Sequence, residues 1–188
     1  MTRIRTGTFA MIFVGLIGNV QAADVSVKGV HLCCGGCSSG AEKALGKVKS
    51  LTKVSCDVNS KVISFTAPDE KTAKSAIKAL AEGGFFGKAT LGKKKLKFPD
   101  AGVKKGAKSD TVTIYGLHLC CDACVSGAQK ALEKVDRLST TEFDRAKGTV
   151  KVIGQQVATQ KIIDALNKAG FYGTVNKPKK PKPKPKKK

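Results

Sequence analysis

The chain is poor in aromatics and in negative charge. It has no tryptophan, two tyrosines and eight phenylalanines in 188 residues, and 14 Asp and Glu stand against 35 Lys and Arg. No strand is rich in the aromatic side chains that stack unpaired bases, so specific nucleic-acid recognition is not expected in spite of a net charge of +21. Paired carboxylates, a nucleophile beside a base and a phosphate-cradling glycine loop are all missing, and nothing in the chain resembles an enzyme. Past the N-terminal residues no segment is long and apolar enough to cross a bilayer. The positive excess makes the chain cling to anionic surfaces and says nothing about fold.

What is present begins with an export signal. Arg3 and Arg5 precede an apolar run over residues 9–20, and Val20, Gln21 and Ala22 supply the small-residue cleavage pattern. Residues 1–22 therefore read as a signal peptide, and no cysteine follows closely enough for a lipoprotein. The mature protein is expected to be exported, in the periplasm or cell envelope of a bacterium. Outside the cytosol, thiols oxidise unless a metal or a reductant protects them. The seven cysteines are an odd number, so at least one is free or metal-bound.

Six of those seven lie in one phrase written twice. Residues 29–37 read Gly-Val-His-Leu-Cys-Cys-Gly-Gly-Cys, and residues 116–124 read Gly-Leu-His-Leu-Cys-Cys-Asp-Ala-Cys. His31, Cys33, Cys34, Cys37, Ala44, Leu45 and Val48 recur 87 residues later, and Leu80, Gly84, Phe85 and Gly87 recur 86 residues later. A period this long means two tandem domains rather than a solenoid. Within each copy an alternating strand (Val25, Val27; Val112, Ile114) leads into the cysteines. A helical stripe follows (Ala41, Ala44, Leu45, Val48; Ala128, Ala131, Leu132, Val135). Two more alternating runs, a second amphipathic helix and a short strand beginning at Phe85 or Phe171 complete the order βαββαβ.

The fold class is thus α+β: two tandem ferredoxin-like sandwiches, residues 23–90 and 110–176. Residues 91–109 are expected to be a flexible Lys- and Gly-rich linker, and residues 177–188 an extended Pro/Lys tail.

A βαββαβ unit of this size with Cys-x-x-Cys between the first strand and first helix resembles the heavy-metal-associated domain. That family includes copper chaperones, the periplasmic mercury-binding protein and the N-terminal modules of copper-transporting ATPases. The resemblance covers both copies and implies that Cys34 and Cys37, and Cys121 and Cys124, bind metal. Leu32 and Leu119 stand at the family's methionine, Cys33 and Cys120 at its threonine, and His31 and His118 at its glycine. It also implies a metal-transporting membrane ATPase or another metal acceptor as partner.

The residues support the assignment separately. Cys37 and Cys124 fall at a helix start, where unpaired N–H groups favour thiolate, the form that binds metal. Thiolates suit a soft ion such as Cu(I), with Zn²⁺, Cd²⁺ and Hg²⁺ as alternatives, whereas Asp122 is the only carboxylate in either phrase and hard ions are poorly served. Cys33 and Cys120 are candidate further ligands, as are His31 and His118, because residues two apart on an extended segment share a face. The expected function is transfer or sequestration of such ions. A thiol–disulfide redox protein using the same Cys-x-x-Cys pairs is the alternative, and a structural Cys34–Cys37 disulfide the bland one. Cys56 corresponds to Phe143 in the second copy and reads as a buried core thiol. The Lys-rich segments read as solubilising charge or as a tether to the anionic cell envelope.

Overall fold

The computed structural model describes residues 22–177. The proposed signal peptide and tail lie outside the described residues, save Ala22 and Lys177 at their edges.

Alternating valines set the first strand. In β1 (Ala23–Lys28) Val25 and Val27 are buried while Asp24 and Ser26 face outward, the period of two that a one-sided sheet requires. The chain continues through α1 (Gly35–Leu45), β2 (Thr52–Asp57), β3 (Val62–Ala67), α2 (Glu70–Glu82) and β4 (Lys88–Leu91). The sheet order β2-β3-β1-β4 is antiparallel throughout, which is the ferredoxin-like arrangement. Helix α2 starts where Asp69 accepts a hydrogen bond from the Thr72 N–H at 2.6 Å. It stops at Gly83 and buries Ala73, Ala76, Ile77 and Leu80 on its sheet side.

The second unit repeats this with β6 (Lys108–Tyr115), α3 (Asp122–Leu132), β7 (Leu138–Asp144), β8 (Thr149–Ala158) and α4 (Thr159–Lys168), in sheet order β6-β8-β7. Its fourth strand is reduced to one bridge, Tyr115 to Thr174, with backbone bonds of 2.8 and 3.0 Å. Nor do Phe85 and Phe171 begin last strands of their own units, as the sequence pattern suggests. They pair with each other in an antiparallel bridge between the units.

The segment expected as a flexible linker departs further from expectation. Residues 91–109 contain β5 (Lys94–Leu96), which adds a fifth strand to the first sheet beside β4, and β6 already begins at Lys108. Leu96 is buried, Phe98 stacks on Phe86 with ring centroids 4.8 Å apart, and the Ala101 carbonyl accepts from the Val175 N–H and the Thr174 hydroxyl, each at 2.9 Å. A few apolar side chains among the lysines, with backbone partners on the second unit, turn the segment into a strap.

Candidate metal centre

Each cysteine phrase begins at a strand end and finishes inside a helix. Val30 and Leu32 are both 1 % exposed and point into the first core, so the alternation turns His31 and Cys33 the other way. Leu117 and Leu119 do the same for His118 and Cys120. Cys34 and Cys121 are the extended residues capping α1 and α3, and their carbonyls accept from the Cys37 and Cys124 N–H groups at 3.0 and 3.1 Å. This first turn brings Cys37 and Cys124 back beneath the cap residues, where both are fully buried.

The two phrases then meet. Backbone bonds cross from unit to unit: His31 N–H and Phe86 N–H to the Gly170 carbonyl (3.2 and 3.1 Å), and Tyr172 N–H to the Gly84 carbonyl (2.9 Å). The His31 ring stacks on Phe171 at 4.2 Å, and the His118 ring lies on Phe85 at 4.3 Å, each aromatic belonging to the opposite unit. The approach is close enough to require glycine. Gly84 and Gly170 have φ of +84° and +87°, and a side chain on either would sit 2.2 Å from the His118 or His31 backbone nitrogen. On the helices, a Cβ at Gly40 would meet the His118 ring at 2.6 Å, and one at Gly127 the His31 ring at 2.8 Å.

Six sulfurs are gathered at this junction. Cys33 Sγ lies 3.5 Å from Cys37 Sγ, and 3.6 Å from both Cys121 and Cys124 Sγ. Cys120 Sγ lies 3.6 Å from both Cys37 and Cys124 Sγ and 4.0 Å from Cys34 Sγ. Cys124 Sγ is 3.7 Å from Cys37 Sγ and 3.7 Å from Cys121 Sγ. All are free thiols. His31 places a ring nitrogen within 4.8 Å of the Cys33 and Cys124 sulfurs, and Nε2 of both His31 and His118 is buried without a hydrogen-bond partner among the described residues.

Crowding splits the thiol acidities. The hydrogen bond between the Cys37 and Cys124 sulfurs holds Cys37 far below the ordinary thiol value and pushes Cys124 far above it. Burial raises both Cys33 and Cys120 to about 12. Cys121 falls to about 7, chiefly under the influence of the nearby Cys124 backbone N–H. A helix start favouring thiolate is therefore expressed most directly at the cap residue. Burial and, less, the Glu42 carboxylate hold the Cys56 thiol at about 11. Burial, as the largest influence, also lowers the His31 pKa.

The eight residues singled out from sequence, His31, Cys33, Cys34, Cys37, His118, Cys120, Cys121 and Cys124, all come to the junction. The structure differs from the sequence reading in joining the two phrases into one cluster. Cys56 is apart on β2 and only half-buried, because that edge strand is otherwise exposed. Asp122 points away from the sulfurs and pairs with Arg145 at 2.7 Å. In the sequence Phe85 and Phe171 mark only the start of a strand, and Gly40 and Gly127 carry no expectation. Their signal was there, a helix glycine at the same place in both copies, but its meaning depends on the other copy's histidine.

No family model matches the chain, and no curated protein matches it. Among solved structures, one described by the phrase "Crosstalk between Cu(I) and Zn(II) homeostasis" shares 22 % identity over 35 % of this chain and 96 % of its own, with a TM-score of 0.31. The water-soluble region of the P-type ATPase CopA from Bacillus subtilis shares 15 % identity over 82 % of this chain and 91 % of its own, at 0.31. The N-terminal soluble domains of Bacillus subtilis CopA share 16 % over 81 % and 92 %, at 0.30.

Proposed function

We propose that this chain binds soft metal ions, Cu(I) above all, and serves to transfer or sequester them rather than to catalyse a reaction. The observation that carries the reading is the convergence of six free thiols on one junction, at 3.5–4.0 Å from sulfur to sulfur. Thiolates select soft ions, and six of them packed together would repel one another unless cations shared their charge. The signal-like N-terminus supports an extracytoplasmic setting, where such an ion would reach the protein from, or leave it for, a membrane metal transporter. No described helix is long and apolar enough to cross a membrane.

The test is anaerobic loading of the full chain with Cu(I), in competition with a chromogenic Cu(I) chelator. The wild-type chain is expected to withdraw copper from the chelator, and Cys37→Ser with Cys124→Ser is expected to weaken binding by at least tenfold. Failure to retain any soft metal, or unchanged competition by the double variant, would overturn the reading. Reduction of insulin disulfides by a chain that holds no metal would put the thiol–disulfide alternative in its place.

A further inference from the structure

We propose that the six cysteines form a single cage for four Cu(I) ions, built half from each unit. The inference rests on the soft-metal reading above and adds number and geometry to it.

The arrangement of the sulfurs carries it. Beyond the pairs at 3.5–4.0 Å, Cys34 lies within 4.8 Å of Cys33, Cys37 and Cys121, and Cys120 within 4.8 Å of Cys121. Each sulfur is then a neighbour of every other except one. The pairs left over are Cys33 with Cys120, Cys34 with Cys124, and Cys37 with Cys121. That is the connectivity of an octahedron, those three pairs being its opposite corners. Cys33 and Cys120, extra to the family's pattern, are one such pair.

An octahedron of thiolates has four alternating triangular faces that share corners but no edges. Here they are Cys33–Cys34–Cys121, Cys34–Cys37–Cys120, Cys120–Cys121–Cys124 and Cys33–Cys37–Cys124. The first three are sets whose sulfurs lie mutually within 4.8 Å, and the fourth has edges of 3.5, 3.6 and 3.7 Å. An ion at a face centre with metal–sulfur bonds of roughly 2.3 Å needs sulfurs about 4 Å apart. Cu(I), which accepts three sulfurs in a plane, fits each face, and every cysteine then bridges two ions. A Zn²⁺ site made of sulfur alone needs four of them at tetrahedral corners. Any four corners of an octahedron include an opposite pair, so no such set exists in this cluster.

The binding step balances. Four Cu⁺ and six cysteines give a cage of four Cu⁺ and six thiolates, of charge −2, with release of one proton from each sulfur still protonated and no change of oxidation state. Since each thiolate serves two ions, the cage loads as a unit. His31 and His118 pack around it from opposite units.

The experiment is anaerobic titration of the full chain with Cu(I) as its acetonitrile complex, read by native mass spectrometry and copper X-ray absorption. The expected result is a four-copper species that dominates even when copper is scarce, with three sulfurs and a short copper–copper distance around each ion. A limit of two ions, each with two sulfurs and no copper neighbour, would overturn the cage and leave the soft-metal reading standing. No copper at all would overturn both. Cys33→Ser with Cys120→Ser is a second discriminator: the cage must lose its four-copper species, and a variant that binds as many ions as the wild-type chain would refute the cage.

Discussion

At the residue scale, function depends on what the smallest side chains permit. Gly40 and Gly127 sit mid-helix, where alanine would ordinarily stabilise by up to about 1 kcal/mol. Here the alanine methyl would strike the opposite unit's histidine ring. Gly40→Ala is expected to destabilise the protein by about 1–3 kcal/mol, in the manner of an overpacked core. The same change made in a His118→Ala background is expected to be neutral or favourable, since the obstacle is gone. Chemical denaturation of the four variants of this cycle checks both signs. A second expectation concerns acidity. With its thiol lowered to about 7 by the Cys124 N–H, Cys121 is about half thiolate at neutral pH, while Cys56, raised to about 11, is almost wholly protonated. Iodoacetamide given to the metal-free protein at pH 7 should therefore label Cys121 well before Cys56. Its rate should fall as pH drops below 7 and Cys121 takes up its proton. Peptide mass mapping reads the order, and equal labelling of the two would contradict it.

At the element scale, the strands and helices of both units follow from alternation and helical spacing, and the cysteines fall where those patterns change. The strap does not. Residues 91–109 are mostly Lys, Gly and Ala, and their composition describes a linker well. Leu96 and Phe98 order them because each finds a surface outside the segment, Leu96 beside Ala89 of β4 and Phe98 on the ring of Phe86. Leu96→Ala is expected to cost about 2 kcal/mol if Leu96 is the buried anchor of β5, and almost nothing in a flexible linker. The midpoint shift in urea separates these outcomes. The expected last strands were misplaced for a related reason. The Gly-Phe pairs look the same whether they close their own sheet or meet the partner unit, and only the crossing bonds to Gly84 and Gly170 decide it.

At the scale of the whole molecule, charge and sulfur are kept apart. None of the 35 basic side chains lies in either cysteine phrase, and the densest run of them is at the C-terminus, residues 177–188. If that run tethers the protein to an anionic envelope, its removal should release the protein from anionic vesicles at low salt while copper loading stays the same. Co-sedimentation with and without the tail checks it, and unchanged partitioning would leave the lysines a solubilising role. The sequence by itself determined the two-copy plan, the βαββα order that opens each unit and the eight residues that meet at the junction, because these depend on local periodicity and on comparing one copy with the other. Tertiary structure alone decided that the two phrases make one cluster. Each phrase is equally consistent with a private site. The merger depends on Gly84 and Gly170 letting two loops touch, on histidines of one unit resting on phenylalanines of the other, and on a strap that only looks like a linker. The contacts between the units join residues far apart in the chain, such as His118 on Phe85 and His31 on Phe171, and local pattern carries no record of them.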